Sequence, residues 1–226
     1  RDALLGRGSS ALDFVVPRDA IPLTFRLADS IGAPAFVLDD ERDTGRIVLP
    51  AEGTMLDFAR YRDSDLFADL RDRDFTINAL AMPATARTRE AVIDPANGLA
   101  DLESGLLRLA HAGALERDPV RALRGIRLAT VLGYSLTPDT QAAVREAAPR
   151  LLETSAERVR DELVKIVQAP AVDQGIRQMQ DLGLLEVVLP EVAALAPVPQ
   201  SKPHHEPVLQ HTVSVLRWLE RLDKAL

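Results

Sequence analysis

The spacing of apolar and polar positions predicts three strands near the start of the chain. "LDFVV" and "GRIVLP" are short apolar runs bounded by turn residues, and "TMLDFARYR" alternates so that Met55, Asp57, Ala59 and Tyr61 share one face. Between the first two, "DAIPLTFRLADSIG" places Leu23, Leu27 and Ile31 at helical spacing and stops at Gly32. "TINALAMP" adds a short helix. These elements form an α+β head: a small mixed β-sheet with helices.

From about residue 114 only helical patterns are predicted. "DPVRALRGIRLATVLG" offers Asp118 as N-cap, Pro119 at the first helical position and a stop at Gly133. "TPDTQAAVREAAPRLL" repeats that logic with Thr137 and Pro138, and "SAERVRDELVKIVQ" opens on Ser155, with Arg158 in the slot where a capping box has Glu. "VDQGIRQMQDLGLLEVVLPEV" supplies one or two more helices. After the Pro-rich connection "APVPQSKPHHEPV" a further helical unit begins. The expected organisation is a head over residues 1–112, an all-α neck over 113–195 and the start of a further helical domain over 196–226.

Composition narrows the class. A chain of 226 residues with 46% hydrophobic content can bury a sizeable core. It has no cysteine, which excludes disulfides and thiolate metal sites, and no apolar run long enough for a membrane span or signal segment, so a cytoplasmic protein is the expectation. A net charge of −7 means that any nucleic-acid partner must be held by a local basic patch. Both ends read as cut, since Arg1 opens directly on a helix-like segment and "HTVSVLRWLERLDKAL" stops inside an apolar pattern. Nothing in the pattern fixes an oligomeric state.

The candidate chemistry begins with a carboxylate inside a strand. Asp13 stands alone in "SSALDFVV", where desolvation is costly without a cation or donors. Residues two apart on a strand face the same way, so an acidic pair at that spacing can grip a divalent cation, but the same-face neighbour of Asp13 is Ala11. Asp57 has the same setting, flanked by Leu56 and Phe58, and the two acids can meet across a sheet. The turn "GRGSS" before Asp13 offers backbone N–H groups and hydroxyls to phosphate. Further on, Arg117, Arg121 and Arg124 fall within about 60° of one another on a 3.6-residue helix, a stripe suited to phosphates. His204, His205 and His211 cluster after the Pro-rich connection without completing a metal site.

Five segments in order, "RDALLGR…LDFVV", "DLRDRDFTINALA", "IDPANGLADLESGLLR", "RDPVRALRGIRLATVLGYSL" and "SAERVRDELVKIV", resemble the class II tRNA nucleotidyltransferase and poly(A) polymerase family over nearly the whole chain. That family has a polymerase-beta-type head and includes CCA-adding enzymes, their CC-adding and A-adding relatives, and bacterial poly(A) polymerases. The resemblance implies that Arg1 and Asp2 end a phosphate-binding turn and that Ala11, Leu12 and Asp13 occupy the Asp-x-Asp strand that binds two magnesium ions, with Asp57 as the third acid. It implies that Arg73, Asp74 and Asn78 contact the ribose and triphosphate, with Asp72 where the family has Arg. In the hinge motif it matches Asp94, Gly98, Asp101 and Arg108. Arg117, Asp118 and Arg121 match the Glu-Asp-x-x-Arg template for the base, with Arg117 in the Glu position. Arg124 and Arg127 complete the nucleotide-binding set. "HHEPVLQHTV" is similar to the start of an HD-type phosphohydrolase domain, without its His-Asp pair.

The implied activity is template-independent addition of nucleotides, CCA or part of it, to the 3′ end of tRNA, with magnesium as cofactor and ATP and CTP as substrates. The catalytic and metal residues are then Asp13 and Asp57, and Ala11 leaves the ligand set one acid short. Ala11 points to an engineered or naturally inactivated form. Two alternatives stay open: a catalytically weakened RNA-binding or regulatory homologue with a C-terminal HD-type domain, and a bacterial poly(A) polymerase.

Overall fold

The computed structural model describes residues 1–8 and 10–223, with side chains through residue 219. The chain divides into two compact units, one of Arg1–Asp72 with Leu80–Ala96 and one of Arg73–Ala79 with the chain from Asn97 onward. No helix among the described residues is long and apolar enough to cross a membrane.

In the first unit, β1 (Ala11–Val16), α1 (Ala20–Ile31), β2 (Ala35–Asp39), β3 (Thr44–Leu49) and β4 (Thr54–Arg60) form a four-stranded sheet in the order β1-β4-β3-β2 with α1 on one face. β1 runs parallel to β4, whereas β3 is antiparallel to β4 and β2 to β3. Period-2 alternation sends Phe14, Ile47 and Phe58 toward α1, where Ile47 and Phe58 form a core with Ala20 and Ala28. The Phe14 and Phe58 rings stack with centroids 4.8 Å apart. Gly45 permits the close approach of α1: a Cβ there would lie 2.5 Å from Thr24 Oγ1. The start of α1 is capped from a distance, because both Asp43 carboxylate oxygens accept from the Ala20 and Ile21 N–H groups at 3.0 and 2.9 Å. α2 (Leu66–Arg71) closes the unit, with the Asp65 side chain accepting from Ala68 N–H.

β2 and α2 are additions to the sequence reading. "AFVLD" is an unalternating run on the outer edge of the sheet, and α2 has only six residues, too few for a periodic signature. β4 ends at Arg60, so Tyr61 lies beyond the strand face assigned to it.

The second unit contains α3 (Gly98–Ser104), β5 (Leu106–Leu107), α4 (Ala114–Arg117), α5 (Arg121–Leu132), β6 (Ser135–Leu136), α6 (Pro138–Ala147), α7 (Ala156–Val167), α8 (Val172–Asp181), α9 (Leu185–Val188), α10 (Pro190–Ala193) and α11 (Val208–Asp223). It is not purely helical, since β5 and β6 pair as a short parallel ladder. Phe75, Leu107, Leu123, Ile126 and Met179 are fully buried in it. Gly125 lets α5 close on Phe75, whose Cζ would lie 2.9 Å from a Cβ at that position. "TINALAMP" forms only a 3₁₀ turn at Thr76–Asn78.

α6 begins as the sequence predicts, with Thr137 accepting from Thr140 N–H and Pro138 in the first turn. α5 does not: it begins at Arg121 after Val120, and the Asp118 side chain caps nothing. Ser155 precedes α7 without a side-chain cap. Beyond the Pro-rich connection, α11 packs on α8 through Arg217 to Asp173 at 2.8 Å and Arg177 to Gln210 at 2.8 Å.

Candidate active site

The face of the sheet opposite α1 carries the first group of candidate residues. The register places Asp13 beside Asp57 on the parallel pair and Arg46 beside Asp57 on the antiparallel pair, so the three side chains form a row across β1, β4 and β3. The expectation that two strand acids meet across a sheet is met by direct adjacency. Arg46, which sequence reasoning did not single out, grips Asp57 with a two-pronged ion pair: Nε donates to Oδ1 at 2.6 Å and Nη2 to Oδ2 at 2.7 Å. Its parity along "TGRIVL" was visible, but only the pairing register puts it opposite Asp57.

Electrostatics follow the row. The Asp57 side chain is 14% exposed and that of Arg46 25%. Hydrogen bonds to Asp57 hold the Arg46 guanidinium above its ordinary pKa against the opposing cost of desolvation, and the charges of Asp57 and Asp13 add to the upward shift. Asp13 is exposed, and its carboxylate makes no hydrogen bond to a described residue. Ala11, two residues earlier on the same face, brings no ligand.

Two magnesium ions do not fit this donor set. A hard cation needs several oxygen ligands at once, yet both Asp57 oxygens are bonded to Arg46 and Ala11 has none. Among the described residues no group of three or more acids and histidines could hold a metal ion. A hydroxyl from Ser9 or Ser10 is a weak magnesium ligand beside a carboxylate and does not replace the missing acid; Ser9 lies outside the described residues.

At the chain start, Arg1 and Asp2 form their own paired fork, with both contacts at 2.8 Å. The hydrogen bond from Arg1 is the main cause holding the Asp2 carboxyl below its usual range. Arg7 N–H donates to the Asp2 carbonyl at 2.9 Å, closing the turn after left-handed Gly6.

The second unit holds the remaining candidates in three separate clusters. Asp74, 6% exposed, accepts from its neighbour Phe75 N–H at 2.8 Å and from Asn78 Nδ2 at 3.0 Å on one oxygen, and pairs with Arg124 Nε at 2.6 Å on the other. Arg73 precedes it, half-buried. Asp118 pairs with Arg158 Nη2 at 2.7 Å and lies 4.0 Å from Arg121 Nε, while Arg121 also donates to the Ala114 carbonyl. Arg127 pairs with Glu162 at 2.6 Å, and Lys165 approaches the same acid at 3.5 Å. In the hinge motif, buried Asp101 accepts from Thr76 Oγ1 at 2.7 Å and pairs with Arg108 at 3.1 Å, a structural role.

The arginine stripe expected on one helix is not on one helix. Arg117 ends α4, the backbone is extended at Asp118, and Arg121 starts α5. Arg121, Arg124 and Arg127 each face an acid, so they present a neutralised surface and not a bare basic patch. Arg158 went unread as a site residue; the signal was a basic residue in a capping slot that calls for Glu, explained now by its bond to Asp118.

The chain matches two protein-family models: the "Poly A polymerase head domain" over residues 1–108, and the "Probable RNA and SrmB- binding site of polymerase A" over residues 133–195. It is 38% identical over 184 residues to a CC-adding tRNA nucleotidyltransferase of Geobacter sulfurreducens, covering 81% of this chain and 42% of that protein. It is 37% identical over 224 residues to an A-adding tRNA nucleotidyltransferase of Deinococcus radiodurans, covering 97% of this chain and 50% of that one. A solved tRNA-processing enzyme with CTP superposes with a TM-score of 0.76 at 30% identity, over 83% of this chain and 52% of that chain. The chain thus spans about half the length of the curated relatives it matches. Sequence and fold agree, and the chain belongs to the class II tRNA nucleotidyltransferase and poly(A) polymerase family.

Proposed function

We propose that this chain is the head and neck of a protein that adds nucleotides to the 3′ end of tRNA, taking CTP and ATP as substrates and working in the cytoplasm. The similarity over 97% of the chain to an A-adding tRNA nucleotidyltransferase is the observation that carries this reading, and Asp13 and Asp57, in register on parallel strands, stand where the resemblance implies the catalytic acids. In that reaction the RNA 3′ oxygen bonds to the α-phosphorus, the bond to the β-phosphate oxygen breaks, and pyrophosphate leaves. Arg73, Asn78 and Arg124 serve the triphosphate and ribose. Asp118 and Arg121 present an acceptor and donors to a base edge, with Arg158 holding Asp118 in place. The proposed domain limits are 1–112 for the head, 113–195 for the neck and 196–226 for the start of a further unit.

A specific observation favours a second reading: with Ala11 and the Arg46–Asp57 pair in the ligand set, the protein binds tRNA while transferring nucleotides poorly. Incubating the intact protein with tRNA lacking its 3′ CCA, and with one labelled triphosphate at a time, separates the two. The first reading predicts slow incorporation that stops within three nucleotides and rises in Ala11→Asp. Tight tRNA binding with no incorporation by either protein supports the second. A long tail of A contradicts both and identifies a poly(A) polymerase.

A further inference from the structure

Arg46 occupies an unusual position for a positive charge. It stands in the same cross-strand row as Asp13 and Asp57, on the sheet face opposite α1, and its fork takes both Asp57 oxygens at 2.6 and 2.7 Å. A carboxylate gripped by two N–H donors in one plane has no in-plane lone pair left for a hard cation on that side, and a divalent ion brought to it meets the guanidinium charge at close range. Asp13, one strand further, lies within the electrostatic reach of the same arginine.

We infer that Arg46 is a built-in counter-cation that keeps Asp57 out of metal coordination, so that two features and not one separate this sheet from a divalent-metal site: the missing acid at Ala11 and the guanidinium on Asp57. Asp13 alone then offers a single carboxylate to solvent, which holds a divalent ion weakly. An acid added at position 11 gives a two-carboxylate grip on β1, but Asp57 joins it only when Arg46 releases its oxygens. The same pairing keeps the mostly buried Asp57 satisfied without any ion, so the head folds in the absence of metal. This inference rests on the family placement of the Asp13–Asp57 face and not on the proposed activity, and its test reads ion binding alone.

The experiment titrates Mn²⁺ into the intact protein and follows the free ion by electron paramagnetic resonance, comparing the native chain with Ala11→Asp, Arg46→Gln and the double variant. Ala11→Asp alone tightens the site through its two β1 carboxylates, and the double variant, which adds Asp57, binds at least tenfold more tightly than Ala11→Asp. Adding Asp57→Asn to the double variant removes that gain. The inference is overturned if Ala11→Asp binds as tightly as the double variant, or if the gain survives Asp57→Asn. Arg46→Lys covers the case in which Arg46→Gln fails to fold: a point charge in place of the fork frees one Asp57 oxygen, and in the Ala11→Asp background it gives an intermediate tightening. Affinity unchanged from Ala11→Asp in that folded variant overturns the inference equally. These outcomes stand whether or not the protein incorporates any nucleotide.

Discussion

Asp57 in the sheet and Asp74 in the helical unit each pair with an arginine at 2.6 Å, yet they are built for different ends. Asp74 fills its acceptor sites from three sides, taking Phe75 N–H, Asn78 and Arg124, with Phe75 buried beside it against Gly125. Asp57 is held by one residue alone and sits in a row whose other acid, Asp13, faces solvent. An acid tied down by several independent donors is part of the scaffold. An acid held by a single exchangeable cation, beside an open one, can change partner.

The comparison predicts an ordering of effects. Asp74→Ala takes the acceptor from the buried Phe75 N–H and from Asn78, while exposed Arg124 turns to water, and lowers unfolding free energy by about 2 to 3 kcal/mol in urea titration; a loss under 1 kcal/mol breaks the contrast. Gly125→Ala forces a methyl against the buried Phe75 ring, next to Asp74 in the chain, and costs about 2 kcal/mol by the same assay.

Arg46→Gln leaves Asp57 without its counter-ion and costs about 1 to 2 kcal/mol, most of which returns when Asp57→Asn is added, as a double-mutant cycle will show. Asp13→Ala changes stability by less than about 0.5 kcal/mol, because the exposed side chain bonds nothing among the described residues.

A fifth prediction sets a capping acid against these paired ones. The Ile21 N–H, then the Ala20 N–H, draw the Asp43 carboxyl below the ordinary Asp range against the cost of desolvation, so the charged form is favoured in the folded state. The sign follows: this stabilisation is full above the unfolded value, about pH 4, and is lost as pH falls through the lowered folded value. Asp43→Asn, which tolerates the left-handed backbone at φ 49°, is therefore less stable than the native chain at pH 7, with a margin that shrinks below about pH 4. A pH-independent margin in thermal melts contradicts the capping role.

Much of this was legible in the residues because short-range patterns encode it. Short apolar runs bounded by turn residues set β1 and β3, alternation set β4, and the Thr137–Pro138 signal set the start of α6. What stayed hidden depends on register and on distant partners. Arg46 meets Asp57 only through an antiparallel pairing eleven residues away, Asp118 gives up its capping place for Arg158 forty residues on, and β2 is an edge strand without alternation. The Arg117–Arg121–Arg124 stripe failed for a local reason, the extended backbone at Asp118 that splits the helix.

The most direct measurement is anomalous diffraction from crystals of the intact native protein grown with Mn²⁺. The predicted map keeps Arg46 on both Asp57 oxygens, with no manganese peak between Asp13 and Asp57. A peak bridging the two carboxylates, with the Arg46 fork displaced, would contradict it.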